Sequence, residues 1–124
     1  RREMTSRVDL HIRRGISFRM DFQWMTNYTT IGNVPIDLTN TQLRMMVKHK
    51  VEDEVPLVDK FPSITNAESG EFSIEFTKEE TELMDFNEAK YDVVVTFQDQ
   101  SNYIIVEGDL RVSGIITREV PPIE

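Results

Sequence analysis

Apolar and polar residues alternate along most of the chain. Val8, Leu10 and Ile12 share one side of a first run, with Asp9, His11 and Arg13 on the other. After Gly15, the set Phe18, Met20, Phe22 and Trp24 alternates with Arg19, Asp21 and Gln23. A period of two predicts strands that lay one face on a core and turn the other to water. The pattern stops between Met25 and Val34, where Asn27, Gly32 and Asn33 predict a long exposed loop. It resumes in Pro35-Ile36-Asp37-Leu38-Thr39 and then in Leu43, Met45 and Val47, with Arg44, Met46 and Lys48 opposite. The charge-rich stretch from Val51 to Lys60 contains Pro56, which would remove a ladder donor, so it is expected to be a weak edge strand. Phe61 to Thr65, the turn formers from Asn66 to Gly70, and Phe72, Ile74 and Phe76 predict a hairpin. Thr77-Lys78-Glu79-Glu80 matches a capping box and predicts a helix of one or two turns crossing one end of the sheets. Tyr91, Val93, Val95 and Phe97 mark a central strand, and Val94 on its other face implies partial cover there too. The segments Tyr103 to Glu107 and Asp109 to Ser113 supply the last strands, with a bulge or bend expected at Gly108.

Seven to eight short strands, turn formers at roughly regular spacing and one short helix predict an all-β fold, an antiparallel β-sandwich of immunoglobulin-like character. A small barrel is the alternative. The domain is expected to span residues 8–118, between an N-terminal arm (1–7) and an extended C-terminal tail (119–124). Trp24 shares a face with Phe18, Met20 and Phe22 and is expected at the aromatic centre of the core.

Composition narrows the functions open to such a fold. The 124 residues fit one domain. An apolar share of 39% with 29% charged residues argues against both a membrane protein and a disordered chain. The net charge of -8 disfavours nucleic acid and anionic membranes as partners. No membrane span or leader-like start stands out, so synthesis in the cytoplasm is expected. There are no cysteines, which leaves stability to the core or to partner subunits.

Little in the chain points to chemistry. The two histidines, His11 and His49, fall on solvent faces outside any catalytic or metal-binding signature. Glu79, Glu80, Glu82 and Asp85 lack the order of a calcium loop and have a structural reason to lie in a first helical turn, next to the positive end of its dipole. The glycines are isolated and build no phosphate-binding loop. No catalytic, cofactor or metal residues are therefore assigned, and the chain is not expected to be an enzyme. The short basic groups Arg1-Arg2, Arg13-Arg14 and Lys48-His49-Lys50 lack an aromatic platform for nucleic acid, and the arginines fit tethering or subunit contact at least as well. Arg1, Arg2, Tyr28, Met46, Tyr103, Pro121 and Pro122 are the candidate interface residues, Met46 and Tyr28 being the preferred exposed apolar contacts.

Arg14-Gly15-Ile16-Ser17-Phe18-Arg19-Met20-Asp21-Phe22-Gln23-Trp24, then Pro35 to Thr39 and Leu43-Arg44-Met45-Met46-Val47, resembles a domain of tailed-phage virions, the N-terminal domain of upper-baseplate and related tail proteins. The likeness extends through Ile64 to Phe72, the Thr-led acidic turn, Tyr91-Asp92-Val93-Val94-Val95 and Glu107-Gly108, about residues 8 to 118. It rests on strands and turns and brings no catalytic residues with it. It implies an immunoglobulin-like sandwich in a virion tail, baseplate or neck, made in the host cytoplasm, with other virion proteins and further copies of itself as partners. Larger upper-baseplate proteins continue into fibre-like and receptor-binding modules, so a chain of this length is expected to be an adaptor or anchor for neighbouring tail or fibre proteins. The alternative expectation is a carbohydrate or host-surface binding module, with Tyr28 or Tyr103 stacking on a sugar ring.

Overall fold

The alternation around Tyr91, Val93 and Val95 builds the strand on which the others are hung. The structure is a computed structural model that describes residues 6–28 and 32–114, with backbone only at 26–28, 32 and 33. Its strands are β1 (Ser6–Arg7), β2 (Leu10–Arg13), β3 (Phe18–Gln23), β4 (Met25–Tyr28), β5 (Gly32–Pro35), β6 (Gln42–Lys48), β7 (Val58–Lys60), β8 (Ser63–Asn66), β9 (Glu71–Phe76), β10 (Glu88–Thr96) and β11 (Asn102–Ser113), with one helix, α1 (Lys78–Glu82), between β9 and β10. The larger sheet has the order β1-β11-β10-β6-β7, with β2 also on β11, and the smaller has the order β3-β9-β8. If β1 and β2 are taken as one interrupted edge strand, the two sheets hold eight strands. The molecule is an all-β sandwich.

Between the sheets, Ala89, Tyr91, Val93 and Val95 of β10 lie beside Leu43, Met45 and Val47 of β6 and Leu110 and Val112 of β11, all buried. Phe72, Ile74 and Phe76 of β9 meet them from the smaller sheet in one cluster. Each such side chain contributes about 1.5–3 kcal/mol on full burial, so the core is the principal stabilising term. Phe22 stacks on Phe72 with centroids 5.2 Å apart, and Phe18 lies 6.3 Å from Phe76. Trp24 is buried as expected and packs against Phe97.

The connection from β9 to β10 crosses from one sheet to the other through α1. Thr77 Oγ1 accepts from the Glu80 N–H, and Glu80 Oε1 accepts from the Thr77 N–H, completing the capping box. The β2–β3 turn fastens this crossing. Arg14 donates to the carbonyls of Met84 (2.6 Å) and Phe86 (3.2 Å), and the Gly15 N–H donates to the buried Thr81 hydroxyl (3.0 Å). Arg14 thus satisfies carbonyls after the helix, a structural task within the chain.

Other expectations are corrected. The stretch from Met25 to Val34 holds the hairpin β4–β5, paired from Met25↔Pro35 to Tyr28↔Gly32, where a long loop was expected. Backbone hydrogen bonds alone can make such a ribbon, which leaves no apolar alternation to read. Ile36 and Leu38 enter the core region from a link outside any strand, the Leu38 N–H donating to the Ala67 carbonyl. The charged stretch does supply an edge strand, as expected, but only its last three residues, Val58–Lys60, pair with β6. The first strand begins within the expected arm, since Ser6 and Arg7 pair with Val106 and Glu107. Both β1 and β2 run parallel to β11, so the sandwich is not purely antiparallel.

The bulge expected at Gly108 lies elsewhere: β11 runs unbroken, and its register with β10 shifts between Val93 and Val94, where Ile105 is the extra residue. Gly108 serves a different need. A Cβ there would stand 2.2 Å from the Val8 carbonyl oxygen, where the N-terminal edge crosses between β1 and β2. Tyr91 reaches the same place, its hydroxyl donating to the Val8 carbonyl, and the Asp109 N–H donates to Asp9 Oδ1. Because the obstacle to a side chain at 108 is backbone, Gly108→Ala is expected to destabilise the domain by about 1–3 kcal/mol. Urea melts check this, and an unchanged midpoint would show that the edge yields freely.

Candidate interaction surface

β6, β10 and β11 turn their second faces outward together, and the register fixes what that face displays. Across the three strands lie the rows Lys48–Lys90–Asp109, Met46–Asp92–Glu107 and Arg44–Val94–Ile104. With Arg7 and Val51 at its margin, this face encloses a concavity of about 480 Å³. Met46, Val94, Val51 and Ile104 give it an apolar lining, Val51 and Ile104 being exposed, and charged groups of both signs surround them.

The charges are unevenly paired. Lys90 Nζ donates to Asp109, and Arg7 lies 3.2 Å from the same carboxylate. The Lys90 hydrogen bond holds the Asp109 carboxyl below the usual range, assisted by the nearby cations. Arg44 is engaged by Asp59 of β7 through two hydrogen bonds, which likewise hold the Asp59 carboxyl low. By contrast, Lys48 stands opposite Lys90, and Asp92 stands opposite Glu107. Like charges in directly opposed positions of a sheet repel. Partial burial pushes the Asp92 carboxyl above its usual range, the Glu107 charge adds to this, and Lys48 opposes it.

Of the residues predicted for an interface, Met46 is the one brought to this concavity. Tyr103 is 40% exposed and meets Phe97 edge-on, in an aromatic series continuing to Trp24. Tyr28 pairs with Gly32 through the backbone, and its side chain lies outside the described residues, as do Arg1, Arg2, Pro121 and Pro122. Val94 and Ile104 were missed, as were the charged groups around them. The available signal was an apolar residue on the polar side of an alternating strand, visible at Val94 and Met46 but obscured at Ile104 by the bulge beside it.

Elsewhere the geometry is structural. A smaller hollow of about 230 Å³ lies between the approach to β7 and α1, lined by Leu57, Phe76, Leu83 and Phe86 among others. The Lys60–Glu80 ion pair borders it at 2.8 Å. Burial opposes ionisation of Glu80, yet the hydrogen bonds from Lys60 and Thr77 outweigh it and hold its carboxyl below the usual range. His11 and His49 are exposed, the first within 2.9 Å of the Ser113 hydroxyl and the second edge-on to Phe86. Among the described residues, no group of three or more His, Asp or Glu side chains could hold a metal ion, and no helix is long and apolar enough to cross a membrane.

A scan of protein-family models finds no match to the chain, and a search of curated proteins finds none.

Asp92 carries a pH-dependent penalty whose sign follows from its environment. Its folded-state pKa lies above its unfolded one, so it costs nothing at acid pH, where both states are protonated. The penalty grows as the pH rises from the unfolded value through the folded one and is complete above it. Asp92→Asn is thus expected to raise the urea midpoint at neutral pH and to lose that advantage in acid. A variant less stable than the parent at neutral pH would contradict this account of the outer face.

Proposed function

We propose that the chain is a structural protein of a phage tail, baseplate or neck, an adaptor that docks through the outer face of its larger sheet. The observation carrying this reading is the face itself: an apolar floor at Met46, Val94 and Ile104 beside opposed like charges at Asp92–Glu107 and Lys48–Lys90. Local arrangements that cost stability tend to be kept where they serve function. A neighbour supplying charges of opposite sign at these positions would relieve the repulsion and cover the apolar floor, with charge complementarity setting orientation and specificity.

The strand orders add support. With the interrupted first strand and β7 set aside, the orders β6-β10-β11 and β3-β9-β8 are those expected if these strands correspond to C-F-G and B-E-D of an immunoglobulin domain. This agrees with the resemblance to the N-terminal domain of upper-baseplate proteins. The fold by itself carries no function, because sandwiches serve many. The glycan-binding alternative is less well supported, since the Tyr103 ring is already in contact with Phe97.

Met46→Arg and Val94→Arg place a bulky charge on the outer face without touching the inward positions. Both variants are expected to fold yet to fall at least about tenfold in incorporation into tail particles, the effect of losing a central interface contact. Complementation with each variant, followed by quantitation of the chain in purified particles, measures this. Full incorporation of both folded variants would overturn the docking face.

A further inference from the structure

Among the described residues the two sheets leave four strand edges without a strand partner, and three of them carry features that discourage pairing with another chain. The β1–β2 edge is interrupted at Val8 and Asp9, β7 is three residues long, and β8 has a register shift between Ile64 and Asn66. The fourth, β3, is six residues long and pairs without a shift from Phe18↔Phe76 to Gln23↔Glu71. It contains no proline or glycine, and among the described residues β9 is its one strand partner. Its inward residues Phe18, Met20 and Phe22 are only half-buried, so apolar surface and backbone groups are presented along the same edge.

We propose that β3 is a homodimer interface, joining a second copy of this chain in an antiparallel, two-fold symmetric pairing centred on Met20. The sequence Phe18-Arg19-Met20-Asp21-Phe22 complements itself in that register. Arg19 of each copy faces Asp21 of the other on the solvent side, while Phe18 faces Phe22 and Met20 faces Met20 on the core side. Moving the axis to Arg19 or to Asp21 would oppose like charges, and a one-residue slip would set apolar residues opposite polar ones. Within one copy Arg19 already lies 3.0 Å from Asp21 and 3.2 Å from Glu75, so the pairing extends an existing exposed charge cluster. Both side chains are more than half exposed, which allows them to be exchanged without disturbing the core. The inference is independent of the tail-assembly reading: the free chain can dimerise or not whichever face docks elsewhere.

The test is sedimentation equilibrium of the full chain across a concentration series, with Arg19→Asp, Asp21→Arg and the double exchange, each verified as folded by circular dichroism. The parent is expected to reach twice the monomer mass. Either single reversal puts two like-charged pairs across the axis and should loosen the dimer by about tenfold or more. The double exchange restores both attractions and should recover the dimer, and hydrogen exchange should slow at residues 18–23 as dimer forms. A parent that stays monomeric up to its solubility limit overturns the proposal. So does an assembly of another size, or a dimer that the single reversals leave unchanged or the double exchange fails to rescue.

Discussion

The register of β10 is the constraint on which the rest of the structure depends. This strand pairs over its whole length with β11 and over most of it with β6. Its odd-numbered residues Tyr91, Val93 and Val95 enter the core, and its even-numbered residues Lys90, Asp92 and Val94 form the outer face. A slip of one residue would exchange the two sets, exposing apolar side chains and burying two charges, so the core enforces the composition of the outer face. Tyr91 extends the same constraint to the N-terminal edge: its ring belongs to the core while its hydroxyl holds the Val8 carbonyl over Gly108. Burial of that phenol pushes its pKa well up, so it remains a donor across the ordinary pH range.

Sheet pairing accounts for each sheet separately, and the joint between them is made by fewer groups. Arg14, Gly15 and Thr81 tie the β2–β3 turn to the helical crossing, and Gly70 performs a similar task where the chain leaves β3 for β6. Its φ of +69° suits glycine, the Trp24 N–H donates to its carbonyl, and a Cβ there would stand 2.6 Å from the Trp24 carbonyl oxygen. These contacts fix where each sheet begins and leaves the other, and thereby how the inward faces of β9 and β10 meet. The outer face of the larger sheet then sets like charges opposite each other, at Asp92–Glu107 and Lys48–Lys90, an arrangement that does not favour the fold.

The strands that were legible in the sequence are those whose side chains must separate core from water. Alternation marked β2, β3, β6, β9 and β10, and the capping box marked α1 because its two hydrogen bonds need Thr and Glu at a fixed spacing. What could not be read was held by the backbone. The hairpin β4–β5 forms in a stretch without apolar alternation, and the parallel pairing of β1 and β2 with β11 follows from tertiary placement. The bulge at Ile105 lies in a stretch where Tyr103, Ile104, Ile105 and Val106 are all apolar, so periodicity gives no phase there. Gly108 drew attention as a strand glycine, but the carbonyl it admits lies a hundred residues earlier in the chain. Of the candidate surface, Met46 and Val94 were visible as apolar residues out of phase with their faces, whereas the opposed like charges required the register.

The proposed docking would cover the face displaying Met46 in an assembly. Neighbouring methionines provide an internal comparison, since Met45 is fully buried in the core while Met46 points to the concavity. Oxidative footprinting of the free chain and of the chain in the proposed tail particle would read the conversion of each thioether to its sulfoxide, which depends on access. Met46 is expected to react in the free chain and to be protected in the particle, with Met45 slow in both. Equal reactivity of Met46 in the two states would contradict it.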